Sequence, residues 1–341
     1  MATYLNSTIT PSKDSGNSDT DFRVVSNSAD LHKDQVAEKI EQLSQALGSV
    51  LLGKEHQIKL ALACLFAGGH LLIEDLPGMG KTLLSHALAR VFGLEHNRIQ
   101  FTSDVLPSDI IGATIYDKKI DGFRFVQGPL FAQLILADEI NRATPKSQSA
   151  LLEAMEERQV TNDGETLALP DPFFVIATQN PSTQAGTFVL PESQLDRFLM
   201  RIELGYPEPA AERQLLLQGD KREQVQKLEC VLNGEELAAL QQHVHDIKIS
   251  EPLVDYVQRI IAFSRQGGEF AFGLSPRGAL ALLQSAKAWA LICGRTHVVP
   301  EDVQAVLPSV VEHRLRESAD FTGHGGGALA QKLLASVDVV A

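Results

Sequence analysis

The chain has 341 residues, of which 44% are hydrophobic and 21% charged, the make-up of an ordinary globular protein with room for about two domains. Forty-three acids against 30 Lys and Arg leave a formal charge of −13. That balance argues against broad binding to nucleic acid or to an anionic membrane, because both need a cationic surface.

Cys64, Cys230 and Cys293 lie far apart and fit neither a disulfide framework nor a CxxC metal site, so a reducing cytoplasm is expected. The longest uncharged apolar stretch, residues 60–73, is shorter than the roughly 20 residues a spanning helix needs. No basic region followed by an apolar run opens the chain. Direct membrane insertion is therefore not expected.

Residues 1–30 are crowded with Ser, Thr, Asn and Asp and read as a disordered tail. An amphipathic helix is predicted over 31–47, with Val36, Ile40, Leu43 and Leu47 on one face, and a second over 55–67. Apolar strands are predicted at 70–74, 98–102, 133–138, 173–178 and 198–204. Helices at 81–92 and 145–156 and a short one near 191–196 separate them. Such alternation predicts an α/β fold, a parallel sheet covered by helices on both faces. Two stretches interrupt the pattern. Residues 102–128 hold two short strands around Lys118-Lys119-Ile120-Asp121-Gly122, and 159–169 reads as a hairpin turning at Asp163-Gly164. After Tyr206-Pro207-Glu208-Pro209 only helices are predicted: 210–219, 234–245, 251–265, 276–293 and 301–316. Ser250 and Ser275 precede first-turn prolines as candidate caps. A glycine-rich link at 323–327 leads to a short last helix. The predicted organisation is a tail (1–30), an α/β core (31–206) and an all-α second domain (207–341).

Leu71-Leu72-Ile73-Glu74-Asp75-Leu76-Pro77-Gly78-Met79-Gly80-Lys81-Thr82 reads strand, glycine loop, helix start. A helix N-terminus aims N–H donors and a favourable dipole at anions. Glycines let the backbone curl around phosphates, the lysine reaches the β and γ oxygens, and the hydroxyl after it can hold Mg²⁺. Residues Pro77, Gly78, Met79, Gly80, Lys81, Thr82 and Leu83 are thus the candidate ATP-binding set. The pattern lacks its first glycine. Asp75 stands there, and its carboxylate should point away from an anion site. Downstream, the apolar strand Leu134-Ile135-Leu136-Ala137 ends in Asp138-Glu139. At the C-terminal edge of a parallel sheet Asp138 would face Mg²⁺ held at Thr82, and Glu139 is placed to align an attacking water.

Asp138-Glu139-Ile140-Asn141-Arg142-Ala143, the run Gln148 to Glu157, Ala177-Thr178-Gln179-Asn180-Pro181 and Leu190-Pro191-Glu192-Ser193-Gln194-Leu195-Asp196-Arg197-Phe198 resemble the AAA+ ATPases of the MoxR family. The resemblance spans about residues 35–315. It implies a P-loop core with a helical lid, ATP and Mg²⁺ as ligands, and hydrolysis in an oligomeric, hexameric ring that remodels, matures or activates a client protein. A partner with a von Willebrand factor A domain is implied as well.

By resemblance Asn180 is the polar sensor, which fits an uncharged amide holding water near the γ-phosphate. Arg197 is an arginine finger reaching the neighbouring subunit; on the residues alone, an ion pair with Asp196 or Glu192 is the alternative. Arg277 is the second-sensor arginine, acting in its own subunit or the next. An arginine at a helix start opposes the dipole and calls for an anionic partner. Leu52 and Gly53 match the adenine pocket. The two inserted hairpins would project toward the pore or face of a ring, or be ordinary surface hairpins. A nucleotide-switched scaffold and a chelatase-type motor subunit are the competing functions. A DNA motor is disfavoured by the charge and the lack of a basic run.

Overall fold

The computed structural model describes residues 33–180, 187–219, 221–266, 270–317 and 328–340. The predicted tail and the glycine-rich link lie outside the described residues. Two helices open the chain, α1 (Lys33–Val50) and α2 (Glu55–Phe66). The core continues with β1 (Leu71–Glu74), α3 (Lys81–Val91), β2 (His96–Gln100), α4 (Pro107–Ile111), the hairpin β3 (Gly112–Asp117) and β4 (Gly122–Gln127), and β5 (Leu134–Asp138). It closes with α5 (Pro145–Glu157), the hairpin β6 (Gln159–Asn162) and β7 (Glu165–Ala168), β8 (Phe174–Gln179), α6 (Glu192–Leu195) and β9 (Met200–Ile202).

The central sheet has five parallel strands in the order β2-β5-β8-β1-β9. β5, β8 and β1 are buried along their whole length, which is why they read as continuous apolar runs rather than alternating ones. α1, α2 and α3 cover one face and α4 and α5 the other, each against its own apolar cluster. After β1 the chain crosses to the β2 side, while β9 returns on the opposite side of β1. Loops that leave strands at such a crossing open a crevice at the C-terminal edge of the sheet. Both inserts form hairpins, and the second turns at Asp163 (φ +50°) and Gly164 (φ +85°). The two hairpins touch, with Thr114 donating to Asp163 at 2.6 Å.

The second domain is a helical lid of α7 (Pro209–Gln218), α8 (Arg222–Gln226), α9 (Gly234–Asp246), α10 (Glu251–Gln266), α11 (Pro276–Ile292), α12 (Pro300–Val311) and α13 (Ala328–Ser336). The expectation that it holds helices alone is overturned. β10 (Phe270–Phe272) and β11 (Arg316–Glu317) pair as a short antiparallel ribbon, too brief to carry a period in the sequence. The helix predicted over 301–316 also ends early. Beyond Val311 the chain turns so that Arg314 reaches Asp196 and the backbone oxygens of Phe198 and Leu199. Phe198 and Leu199, which precede the last core strand, give their carbonyls to Arg314, while Leu199 N–H donates to His70 O at 2.9 Å. Ser275 caps α11 as predicted, accepting from Gly278 N–H at 3.0 Å. No helix among the described residues is long and apolar enough to cross a membrane.

Candidate active site

β1 delivers Glu74 and Asp75 to the C-terminal edge, and the loop 75–80 curls into the start of α3. Gly78 (φ +87°) and Gly80 (φ +94°) hold the left-handed backbone that makes the curl. Nothing lies within 4 Å of a Cβ at Gly78 and only Leu51, at 3.9 Å, near one at Gly80. Backbone conformation, not crowding, therefore demands glycine. Pro77 and Gly78 are exposed, Met79, Thr82 and Leu83 half-buried, and Lys81 buried.

The Lys81 ammonium donates to Asp75 O at 2.6 Å, to Gln179 O at 3.3 Å and to Asn180 Oδ1 at 3.2 Å. Burial pushes its pKa below the ordinary lysine value, while the carboxylates of Asp75, Glu139, Asp138 and Glu74 pull the other way. Three protein oxygens thus gather around the ammonium of the lysine that opens α3.

Asp138 and Glu139 end β5 as expected. Asp138 accepts from Thr178 Oγ1 at 3.2 Å and from Arg98 Nε at 2.7 Å. Glu139 sits at φ +55°, a backbone region costly for a side chain larger than glycine. Its N–H is held by Thr178 Oγ1 at 2.9 Å. Its carboxylate receives Asn180 Nδ2 at 3.1 Å and Gln100 Nε2 at 3.2 Å, and pairs with Arg142 at 3.1 Å. Asn180 thus joins Lys81 to Glu139 through the two ends of one amide. Asn141 fixes it in turn, donating to Asn180 O at 2.9 Å and accepting from Asn180 N at 3.4 Å. Behind the loop Glu74 is buried against Arg201 (2.9 Å) and Gln179 (2.8 Å). Arg98, Gln100, Thr178 and the positioning contacts of Asn141 were not singled out by the sequence. The pairing of Gln100 with Asp138 across β2 and β5 is what brings the first two to the acids.

Leu52 and Gly53 lie between α1 and α2. Gly53 (φ +67°) packs so closely on the lid that an added Cβ would stand 2.8 Å from the Ala211 Cβ. The Leu52-Gly53 segment therefore lies where core meets lid.

Arg197 and Arg277 are elsewhere. Both engage Glu156 in the last turn of α5, Arg197 at 2.8 Å and Arg277 at shorter range. Asp196 and Glu192, the alternative intrachain partners of Arg197, pair with Arg314 and Arg316 instead. Met155, beside Glu156, is tied by its carbonyl to His70, the residue that enters β1, and His70 O accepts from Leu199 N at 2.9 Å. The two arginines consequently stand at the N-terminal edge of the sheet. The phosphate loop leaves the other end of β1, a strand about 13 Å long. Between Arg197 and Arg277 opens a cavity of about 600 Å³ that Arg158, Lys287 and Leu280 also line.

A hard-cation site fits the donors of the C-terminal edge. Thr82 and Asp138 offer oxygen only, the chemistry Mg²⁺ prefers, and Asp138 is buried with Glu139 beside it.

Residues 70–200 match the family model "ATPase family associated with various cellular activities (AAA)", and residues 262–333 match "AAA lid domain". The chain is 40% identical to Chaperone MoxR1 of Mycobacterium tuberculosis over 293 residues, covering 82% of this chain and 77% of that one. It is 43% identical to the uncharacterised protein YeaC of Bacillus subtilis, covering 86% and 92%, and 30% identical to Protein MoxR of Methylorubrum extorquens, covering 80% and 86%. A crystal structure of a protein assigned as an ATPase from Cytophaga hutchinsonii superposes with a TM-score of 0.81 at 34% identity, covering 90% of this chain and 96% of that one. A five-stranded parallel sheet joined to a helical lid agrees with the matched core and lid models, and with these relatives the chain belongs to the MoxR family of AAA+ ATPases, ATP-hydrolysing enzymes.

Proposed function

We propose that the enzyme works as a cytoplasmic ring, hexameric by family resemblance, in which each triphosphate is cut at the seam between two copies. Lys81 and the loop amides of residues 77–82 bind the phosphates, and Leu52 and Gly53 flank the base. Thr82 and Asp138 would hold Mg²⁺, which when bound neutralises phosphate charge. Glu139 takes a proton from the attacking water as its oxygen bonds to the γ-phosphorus and the bond to ADP breaks. Asn180, held by Asn141, orients that water. Arg197 and Arg277 serve the neighbour's site.

The observation that carries this reading is the position of both arginines, on the sheet edge opposite their own Lys81 and sharing Glu156. Glu156 compensates the helix-start arginine within the free chain, and in a ring the neighbour's phosphates would take its place. Turnover then moves the lid against the core, and the ring remodels, matures or activates a client protein, with a von Willebrand factor A domain partner delivering or recognising it.

Mixing two inactive variants tests the shared seam. Lys81→Ala keeps the arginines and Arg197→Ala keeps the phosphate loop. Mixed in equal amounts with ATP and Mg²⁺, they should regain a measurable fraction of wild-type phosphate release. A mixture as inactive as its parts would place both functions in one chain and remove the shared seam.

A further inference from the structure

Asp75 replaces the glycine that opens the usual phosphate loop, and the ATPase chemistry above assigns it nothing. Each of its carboxylate oxygens nevertheless holds a backbone N–H. One oxygen accepts from Leu76 N–H at 2.7 Å and the other from Gly205 N–H at 2.6 Å. Gly205 belongs to the segment 203–208 that leaves β9 and enters α7, the connector between core and lid. It holds φ +65° with nothing within 4 Å of an added Cβ, so its glycine serves a backbone bend.

Lys54 grips the same segment from the other side. Its ammonium, 8% exposed, donates to the carbonyls of Leu204, Gly205 and Tyr206 at 2.6, 3.0 and 2.8 Å. The connector is thus clamped by one anion on its N–H and one cation on its carbonyls, both from the two loops that face the nucleotide. Asp75 has a second tie. Its own carbonyl accepts the Lys81 ammonium at 2.6 Å, so one residue carries the phosphate-binding lysine on its main chain and the lid connector on its side chain.

We propose that Asp75 is a positioning residue that transmits occupancy of the phosphate loop to the lid connector through Gly205. Phosphates draw the Lys81 ammonium off the Asp75 carbonyl and set their own negative charge beside the loop. Repulsion drives the carboxylate outward, onto the only N–H of the connector it holds, and the charge-assisted bond to Gly205 tightens. By linkage, a lid position that strengthens this bond also strengthens nucleotide binding. A glycine at position 75 binds phosphates without this tether, which is what the departure from the usual loop adds. The inference rests on the phosphate loop taking a nucleotide and not on ring assembly.

Hydrogen exchange of the segment 203–208, with and without saturating ADP, tests it. A fluorescent ADP analogue establishes saturation, and light scattering follows assembly separately. In the wild-type chain ADP should slow exchange at Gly205 by about fivefold or more, the lower range of coupling between sites. Asp75→Asn keeps one acceptor in nearly the same volume, and Asp75→Gly restores the usual residue. Both should still saturate with the analogue yet lose the ADP effect at Gly205. Three results would overturn the proposal: unchanged or faster exchange in the wild-type chain, an ADP effect that persists in both variants, or loss of analogue binding in both. Unchanged or faster exchange in the wild-type chain overturns the proposal even if a variant does not fold.

Discussion

The two edges of the central sheet are built on opposite principles. At the C-terminal edge the charged groups are already engaged: Lys81 on three oxygens, Glu139 on Asn180, Gln100 and Arg142, Asp138 on Thr178 and Arg98. At the N-terminal edge two arginines share a single glutamate at the mouth of an open cavity. The first edge is preorganised: its acids and the Asn180 amide are held by protein partners, and arriving phosphates would exchange chiefly the partners of Lys81. The second holds cationic charge that its own chain does not complete. In the ring we propose, such a polypeptide contributes two different half-sites, and its chemistry would depend on bringing unlike edges together.

That contrast is broken most sharply by removing the cationic half. Arg197→Ala should cost on the order of 10³-fold or more in turnover, the scale of arginine fingers in other nucleotide hydrolases. Fluorescent-nucleotide binding should hold near the wild-type value, because Lys81 stays in place. Equal loss of binding and turnover would put Arg197 within its own nucleotide pocket. In the preorganised half, Glu139→Gln removes the proton acceptor but keeps the shape that Asn180 and Gln100 grip. Phosphate release should fall by about 10²- to 10⁴-fold with nucleotide still bound. Undiminished steady-state release would take Glu139 out of the chemistry.

The preorganised edge was largely legible in the sequence, because each half of it is a contiguous string whose residue order is its geometry. Glycine, glycine, lysine and threonine sit on one turn, and the acid pair ends one apolar strand. What the string hid is contact across strands. Gln100 reaches Glu139 only because β2 lies beside β5, and Arg98 likewise reaches Asp138. Asn141 bonds Asn180 only because β5 lies beside β8. The open edge was legible as arginines with a family role, but not as a pair. Glu156 lies 41 residues before Arg197 and 121 before Arg277, and no local pattern joins them. Strand ends drifted for a similar reason. Residues 198, 199, 203 and 204 look like β9, yet Arg314, Asp75 and Lys54 shape the flanks of that strand from elsewhere.

A smaller effect falls between the two edges. His70 enters β1 with Nδ1 accepting from Val175 N at 3.1 Å, so its proton sits on Nε2 and goes to Met155 O at 3.2 Å. Burial first, and Arg158 after it, push its pKa down to about 4, against the backbone bond to Met155 that raises it. The unfolded chain protonates this ring near pH 6.5, the folded chain only near 4, so the contribution is whole above pH 6.5 and is lost as pH falls toward 4. Between pH 7 and 5 His70 alone should cost about 2 kcal/mol of stability. Denaturant titrations should find His70→Gln less sensitive to that acid step. An equal slope in both proteins would assign the acid loss to other groups.

The least change should come from Glu156 itself, and it sharpens the contrast most finely. Its carboxyl is held below the usual glutamate range by the hydrogen bond from Arg277, with the charges of Arg277 and Arg197 adding to it. Both arginines are partly exposed, and exposed pairs are worth at most about 1 kcal/mol. Glu156→Gln therefore frees the arginines for a neighbour's phosphates at little cost to folding. If the free chain holds these arginines back, the variant should assemble with nucleotide at a protein concentration up to about fivefold lower. ATPase at dilute protein should rise with it, while turnover at saturating protein stays as in the wild type, since Glu156 contacts no reacting atom. Assembly that instead needs more protein would mean that the glutamate aligns the arginine pair for the seam. The open edge would then be as preorganised as its opposite.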